Sequence, residues 1–343
     1  TPAPRAAREA LKRALDSEPL GYTLALGTDA LRARIAQHYA EAYGVEVPAS
    51  RVVVTAGSSA GFVLAFLALF DAGCRVAVPS PGYPCYRHIL TALGVEPITI
   101  ETGPRQRWMP TAADVAALPG RVSGLLLASP ANPTGTMIAR DRLAEIAAEC
   151  EARGLWLVSD EIYHGLTYAM DATTALAVSE DAVVVNSFSK SYSMTGWRVG
   201  WLVVPERLVR PIERLAQNLY ISPPAPAQAA ALGAFEASDE IAANKRVYET
   251  NRTLLIDGLR TLGLGEIAPA DGAFYIYADV SHLTTDSLAL TRAMLEEAGV
   301  AATPGIDFDA ERGHRFVRFS YAGTTADMTE ALERLARWPR LRG

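Results

Sequence analysis

From residue 51 onward, short uninterrupted apolar runs alternate with stretches whose apolar positions recur every three or four residues. The runs are RVVVTAG, RVAVPSPGY, EPITIE, GLLLASPANPTG, GLWLVSDEIY, AVVVNSFSK and WRVGWLVVP. Continuous apolar strands separated by amphipathic helices predict an α/β architecture, a mostly parallel sheet covered by helices on both faces. Each run gives way to small and polar residues at its carboxyl end. Those ends are expected to converge along one edge, where open α/β sheets place their ligand sites. One intervening helix is legible residue by residue: Leu143, Ile146, Ala147 and Cys150 form its buried stripe, and Gly154 ends it.

Ahead of the sheet, residues 6–15 have helical spacing, with Ala7, Leu11 and Leu15 on one face. Thr28 is placed to cap a second helix, in which Leu31, Ile35 and Tyr39 recur at four-residue intervals and Gly44 supplies a left-handed stop. After Pro223 and Pro224 one long helical tract is expected to about residue 262, with Arg246, Asn251 and Arg252 on its polar side. GAFYIYADV and RFVRFSYAG read as strands separated by a helix over residues 287–298, and a last helix is expected over 326–338. This order predicts a large domain over residues 25–243 and a smaller α+β domain over 244–343, with residues 1–24 packing against the smaller one.

Length and composition narrow the partner. A chain of 343 residues, 50% apolar, is long enough for one large core and a smaller one. Its 32 basic and 38 acidic residues give a formal charge of −6, and neither sign gathers into a run. Nucleic acid and anionic membranes are therefore not expected, and a small molecule is. Cys74, Cys85 and Cys150 have no metal-ligand spacing, so no metal site is expected, and their sparse, odd number suits a reducing compartment. The longest apolar run, residues 60–70, is about half a membrane span, and no basic segment with an apolar core opens the sequence. A cytoplasmic location is expected.

Chemistry concentrates in SFSKSYSMTGWRVGW, residues 187–201. Lys190 stands between Ser189 and Ser191, with Arg198 eight residues further on, in the connection between two buried strands. A lone lysine on a loop is ordinarily a solvated charge; its company at the other strand ends changes that. Ser58 and Ser59 lie where a strand passes into an apolar helix, so free backbone amides and two hydroxyls can bind an anion such as phosphate. Arg198 and Ser187 can complete that cup. Serines at such places also cap helices for structural reasons alone. Asp160 ends an apolar run, and a buried carboxylate needs a cation, yet no basic residue is near it in sequence. A protonated ring nitrogen would answer the need. Asn132 and Tyr163 can donate to a phenolate oxygen, and Tyr83 offers a ring to stack on a planar ligand. Phosphate, ring nitrogen, phenolate and reactive amine together describe pyridoxal phosphate held to lysine as a Schiff base.

These residues carry a resemblance. The sequence resembles a class I/II aminotransferase of the pyridoxal-phosphate fold type I superfamily, typified by aspartate aminotransferase. The match runs from Tyr22 in YTLALGTDALR, through ANPTG and SDEIYHGL, to SFSKSYSMTGWRVG and RFVRFSYAG, nearly the whole chain. The resemblance implies a large cofactor-binding domain plus a small one. It also implies a ping-pong exchange of an amino group between an α-amino acid and a 2-oxo acid. By it, Lys190 forms the Schiff base and shuttles the proton, Asp160 holds the pyridinium proton, and Asn132 and Tyr163 bond the phenolate oxygen. Ser58, Ser59, Ser187 and Arg198 bind phosphate with Ser189 assisting, and Tyr83 stacks on the ring. Tyr22 corresponds to a tyrosine that reaches the neighbouring subunit's phosphate, which implies a homodimer. Arg318 corresponds to the arginine that clamps the substrate α-carboxylate, where Asn132 also meets the substrate. No second arginine for a side-chain carboxylate is located.

Other readings compete. Gly57, Ser59 and Gly61 spell G-x-S-x-G on a strand-to-helix turn, which suggests a serine hydrolase with Ser59 as nucleophile and His282 or His314 following it. That fold needs several strands before the turn, and it leaves Lys190, Asp160 and Arg198 unexplained. A ligand-sensing regulator would need an attached DNA-binding domain and a basic surface. A β-lyase, decarboxylase or racemase shares the same cofactor cup and is separated only by its products.

Overall fold

The protein was analysed as a computed structural model, which describes residues 1–341; residues 342 and 343, the end of the expected smaller domain, lie outside the described residues. Seven strands form one sheet: β1 (Val52–Thr55), β2 (Arg75–Ser80), β3 (Glu96–Glu101), β4 (Gly124–Ala128), β5 (Trp156–Asp160), β6 (Val183–Ser187) and β7 (Gly200–Val203). Their order is β1-β7-β6-β5-β4-β2-β3. β7 runs antiparallel to β1 and β6, and the other neighbours pair in parallel. The sheet is therefore mostly parallel, as the apolar runs predicted.

Side chains alternate between two cores, as the period of two in a strand requires. Val54, Leu125, Leu127, Val184 and Trp201 enter one, and Val53, Leu126, Val158, Val185 and Leu202 the other. The first face is covered by α2 (Asp29–Tyr43), α5 (Ala112–Ala116), α6 (Arg140–Arg153) and α8 (Ala225–Ala234). The second is covered by α3 (Ser58–Leu69), α4 (Pro84–Ala92) and α7 (Glu206–Leu219). The outer edge of β1 is closed by the segment before α2, where the Val54 amide donates to the Leu26 carbonyl at 2.9 Å. The outer edge of β3 ends in exposed Glu96 and Glu101, charges that discourage strand addition.

Several local expectations hold. Leu31, Ile35 and Tyr39 are buried on α2, and Gly44 ends it at φ 65°. Leu143, Ile146, Ala147 and Cys150 are the buried stripe of α6, which Gly154 ends. Others are corrected. Thr28 occupies the cap position, but its hydroxyl makes no cap bond; its amide instead donates to Gln228 Oε1 at 2.8 Å. The first helix, α1 (Arg5–Ser17), buries Ala7 and Ala14 and leaves Leu15 60% exposed. While Thr1 ahead of it bonds the Tyr248 hydroxyl of the second core at 3.2 Å, the helix itself lies against α8 of the large sheet's first core. The reason is close approach: a Cβ on Gly233 would sit 2.5 Å from the Ala10 Cβ and 2.7 Å from the Ala6 carbonyl.

The expected long tract is two helices, α8 and α9 (Ser238–Thr261), separated at residues 235–237. α9 starts beside the first core through Ile241 and then joins a separate core through Tyr248, Leu255 and Leu259. That core is completed by α10 (Ser287–Ala298), α11 (Thr325–Arg337) and an antiparallel sheet ordered β8 (Tyr275–Asp279), β10 (Phe316–Ser320), β9 (Thr303–Pro304). Asn251, expected on the polar face of the tract, is fully buried. Its side-chain amide donates to the Tyr321 and Gly323 carbonyls at 3.1 and 2.9 Å, so it ties α9 to the chain leaving β10.

Candidate active site

The carboxyl ends of β1, β2, β4, β5 and β6 lie along one edge of the large sheet, and β7, running the opposite way, begins there. A cavity of about 310 Å³ opens at this edge, walled on its far side by residues of β8 and β10. It collects Ser58, Ser59, Tyr83, Asn132, Tyr163, Ser189, Lys190, Arg198 and Arg318 from connections far apart in sequence.

Between β1 and α3 the chain turns at Gly57, whose φ of 84° suits glycine, and a Cβ there would collide with the Arg198 guanidinium. Ser58 and Ser59 follow in the first turn of α3, where backbone N–H groups have no partner inside the helix. Arg198 enters from the β6–β7 connection at φ 52° and donates to the Thr195 carbonyl at 2.8 Å. It has no carboxylate partner among the described residues. Ser187 does not line the cavity: its buried hydroxyl bonds Ser189 Oγ at 2.9 Å and the Val199 carbonyl at 3.2 Å, bracing the same connection.

At the end of β5, Asp160 is 2% exposed and has no cation in ion-pairing distance among the described residues. It accepts a short hydrogen bond from the Tyr86 hydroxyl and one from the Ile162 amide at 3.1 Å. Burial pushes its carboxyl up to about 6, against those two donors and the nearby Lys190 charge. Burial also lowers the Lys190 ammonium, with Asp160 opposing that shift and Arg318 and Arg198 adding to it. Lys190 Nζ lies 5.6 Å from the Tyr163 ring and 5.7 Å from the Phe274 ring.

Arg318, on β10, faces the cavity from the second sheet. It donates to Asn132 Oδ1 at 2.8 Å and Thr303 Oγ1 at 3.1 Å, and its buried Nε has no partner. Tyr163 bonds the Tyr275 hydroxyl at 2.8 Å.

Next to Asp160, Glu161 is also buried, and burial raises it to about 8. Its Oε1 accepts from the Ala175 amide at 2.7 Å and from the Ser159 and Thr174 hydroxyls at 3.1 Å. Oε2 lies 3.5 Å from His164 Nδ1, but burial lowers that imidazole to about 3, so the contact joins two neutral groups rather than an ion pair.

Tyr86, Tyr275 and Thr303 escaped the sequence reading. Tyr86 had a signal, since Pro84 starts a helix and places it on the same face as Tyr83 three residues earlier. Tyr275 and Thr303 meet the site only through pairing of the second sheet. Tyr22 is 84% exposed and is not in the wall of the cavity. His282 and His314, the bases a hydrolase would need, are not in it either.

The family described as aminotransferase class I and II matches residues 1–335. The chain belongs to the class I and II aminotransferases. Among the aminotransferase's relatives is the valine–pyruvate aminotransferase of Mycobacterium tuberculosis, 52% identical over 98% of this chain and 88% of that protein. An aspartate/prephenate aminotransferase of Thermus thermophilus is 34% identical over 97% of the chain and 87% of its own length. In structure, an aminotransferase from M. tuberculosis matches with a TM-score of 0.97 at 52% identity, covering 98% of this chain and 88% of that one. Aspartate aminotransferase from T. thermophilus with maleate matches at 0.93 and 32% identity, over 98% and 88%. The aminotransferase is pyridoxal-phosphate dependent, as this family is. Its cavity suits that cofactor: among the described residues the buried carboxylate behind Tyr86 lacks a cation and the guanidinium beside the glycine turn lacks an anion, and burial lowers the pKa of a lysine in the same wall.

Proposed function

We propose that this aminotransferase exchanges the amino group of a neutral aliphatic amino acid, of which valine is the type, with pyruvate. The cation inventory of the cavity carries this reading. Its wall holds three basic side chains, Lys190, Arg198 and Arg318. With Lys190 given to the chemistry, Arg198 to phosphate and Arg318 to the α-carboxylate, none remains in this wall for a second carboxylate. The name of the 52%-identical relative points the same way. The test is a panel of amino donors with pyruvate. Valine is expected to exceed aspartate in kcat/KM by about a hundredfold, the scale of one lost charge-assisted contact, and equal use of aspartate would overturn the proposal.

When bound, pyridoxal phosphate supplies a carbonyl that condenses with amines and a ring that accepts the electron pair left at Cα. Lys190 would take up the proton from the substrate Cα and hold it for return. Burial disfavours its ammonium and so favours the neutral amine that a base needs. Asp160 would hold the ring nitrogen in its protonated form, and the Tyr86 bond fixes the carboxylate for that task. The Asn132 carbonyl accepts from Arg318, which leaves its NH2 to donate, and Asn132 and Tyr163 would together hold the ring oxygen. Tyr83, in the cavity wall, would stack on the ring. Ser58, Ser59 and the free amides of α3 bind phosphate together with Ser189 and Arg198, while Ser187 holds Ser189 in place. Arg318 grips the α-carboxylate.

The working unit in this reading is a homodimer in the cytoplasm, with Tyr22 reaching the partner's phosphate. Support comes from exposed apolar residues side by side: Tyr22 and Leu24 adjoin Leu219 and Ile221 through a 3.4 Å bond from the Thr23 amide to Ser222. The three cysteines are free, and no helix among the described residues is long and apolar enough to cross a membrane.

A further inference from the structure

Tyr275 opens β8, is 6% exposed and lines the cavity, yet no role above uses it. Its hydroxyl lies 2.8 Å from that of Tyr163. Its ring lies 4.3 Å from Arg318 Cζ, and the Phe308 ring stands 4.7 Å from the same carbon. The register of the second sheet explains the reach. Arg318 is opposite Tyr277, so Tyr275, two residues back along β8, is its diagonal neighbour on the same face. The guanidinium is thus fixed at its ends by Asn132 and Thr303 and bounded by two aromatic rings.

A phenol carries one proton and can also accept. If Tyr163 is to donate into the cavity, the bond between the two hydroxyls must run from Tyr275 to Tyr163. Tyr163 is the one hydrogen-bond partner of the Tyr275 hydroxyl among the described residues. The charged groups around the pair are Asp160 on β5, Lys190 on the β6–β7 connection and Arg318 on β10. None of them accepts from either hydroxyl.

We propose that Tyr275 is a positioning residue with two separable parts: its hydroxyl donates to Tyr163 and so turns the Tyr163 proton into the cavity, while its ring sets the plane of the Arg318 guanidinium. The inference rests on the reading of Tyr163 as donor to the cofactor's ring oxygen and of Arg318 as the carboxylate clamp. It joins the two ends of the site through one side chain.

The experiment uses holoenzyme reconstituted with pyridoxal phosphate and follows its visible absorbance against pH for the wild type, Tyr163→Phe, Tyr275→Phe and the double variant. Removing a donor from an anionic oxygen disfavours the deprotonated chromophore, so Tyr163→Phe raises the titration midpoint. Tyr275→Phe raises it by a smaller amount, and the double variant goes no higher than Tyr163→Phe alone, because both changes act on one bond chain. A midpoint unchanged or lowered in Tyr275→Phe, while Tyr163→Phe moves it, overturns this inference and leaves the Tyr163 reading standing. A midpoint unmoved by Tyr163→Phe removes both. Steady-state kinetics separate the ring from the hydroxyl. Tyr275→Phe keeps the amino-acid KM within about twofold, whereas Tyr275→Leu raises it about tenfold, the scale of a lost desolvated cation–π contact. Equal KM values in the two variants overturn the part assigned to the ring.

Discussion

Asp160 and Glu161 are neighbours in sequence, both buried and both raised by burial, but their surroundings divide them. Asp160 meets the Tyr86 hydroxyl and the Lys190 charge at the cavity, so its carboxylate form has support there. Glu161 faces away into backbone, hydroxyls and a neutral imidazole. In the unfolded chain its carboxyl titrates near 4.5, and in the folded chain near 8. Between those values the folded state holds the extra proton, so this residue makes stability fall as pH rises from 4.5 to about 8. Asp160 acts with the same sign over a lower window, ending near 6. Glu161→Gln removes the Glu161 contribution. Its melting temperature relative to the wild type is therefore expected to climb between pH 5 and pH 8 by roughly 2 °C or more. A difference that stays flat across that range would show that Glu161 is ionised in the folded protein.

Among the elements, α9 shows where sequence periodicity misleads. Asn251 reads as polar-face by spacing, and the fold buries it because three polar groups converge there: the Tyr321 and Gly323 carbonyls and the Thr325 hydroxyl, which donates to Asn251 Oδ1 at 2.7 Å. No residue near Asn251 in sequence announces those partners. Asn251→Ala leaves the two carbonyls and the hydroxyl unpartnered in a buried setting, at a cost of about 2–4 kcal/mol. Its denaturant midpoint should fall accordingly, and an unchanged midpoint would mean that water replaces the amide. The strands of the large sheet were legible for the opposite reason. An apolar run buried on both faces needs nothing from distant sequence to declare itself, as Val183, Val184 and Val185 illustrate by dividing between two cores. Lys190, Asn132 and Arg198 were legible through their motifs. Tyr275 and Thr303 were not, because only the pairing of β8, β9 and β10 brings them to Arg318.

For the molecule as a whole, the exposed cluster of Tyr22, Leu24, Leu219 and Ile221 is the face on which a second copy is expected. Light scattering should give twice the mass of one chain. Mixing tests the shared site directly. Tyr22→Phe alone is expected to weaken cofactor binding, and Lys190→Ala alone to abolish activity. A hybrid of the two contains one site with Lys190 from the first chain and Tyr22 from the second, so it should regain cofactor affinity and activity at half the sites. Hybrids no better than Tyr22→Phe alone would confine Tyr22 to a role within its own chain. The reversed direction of β7 has a bearing on tolerance to insertion as well. Lys190 and Arg198, eight residues apart, sit with Ser189 and Thr195 on a single strand-to-strand connection, whereas Ser58, Tyr83, Asn132 and Tyr163 arrive from other parts of the chain. Their spacing is therefore set within one short segment. A change of length in a loop elsewhere around the cavity leaves that spacing alone, but one residue inserted between positions 190 and 198 would part the two anchors, so this short segment should tolerate insertion least of all the loops around the cavity.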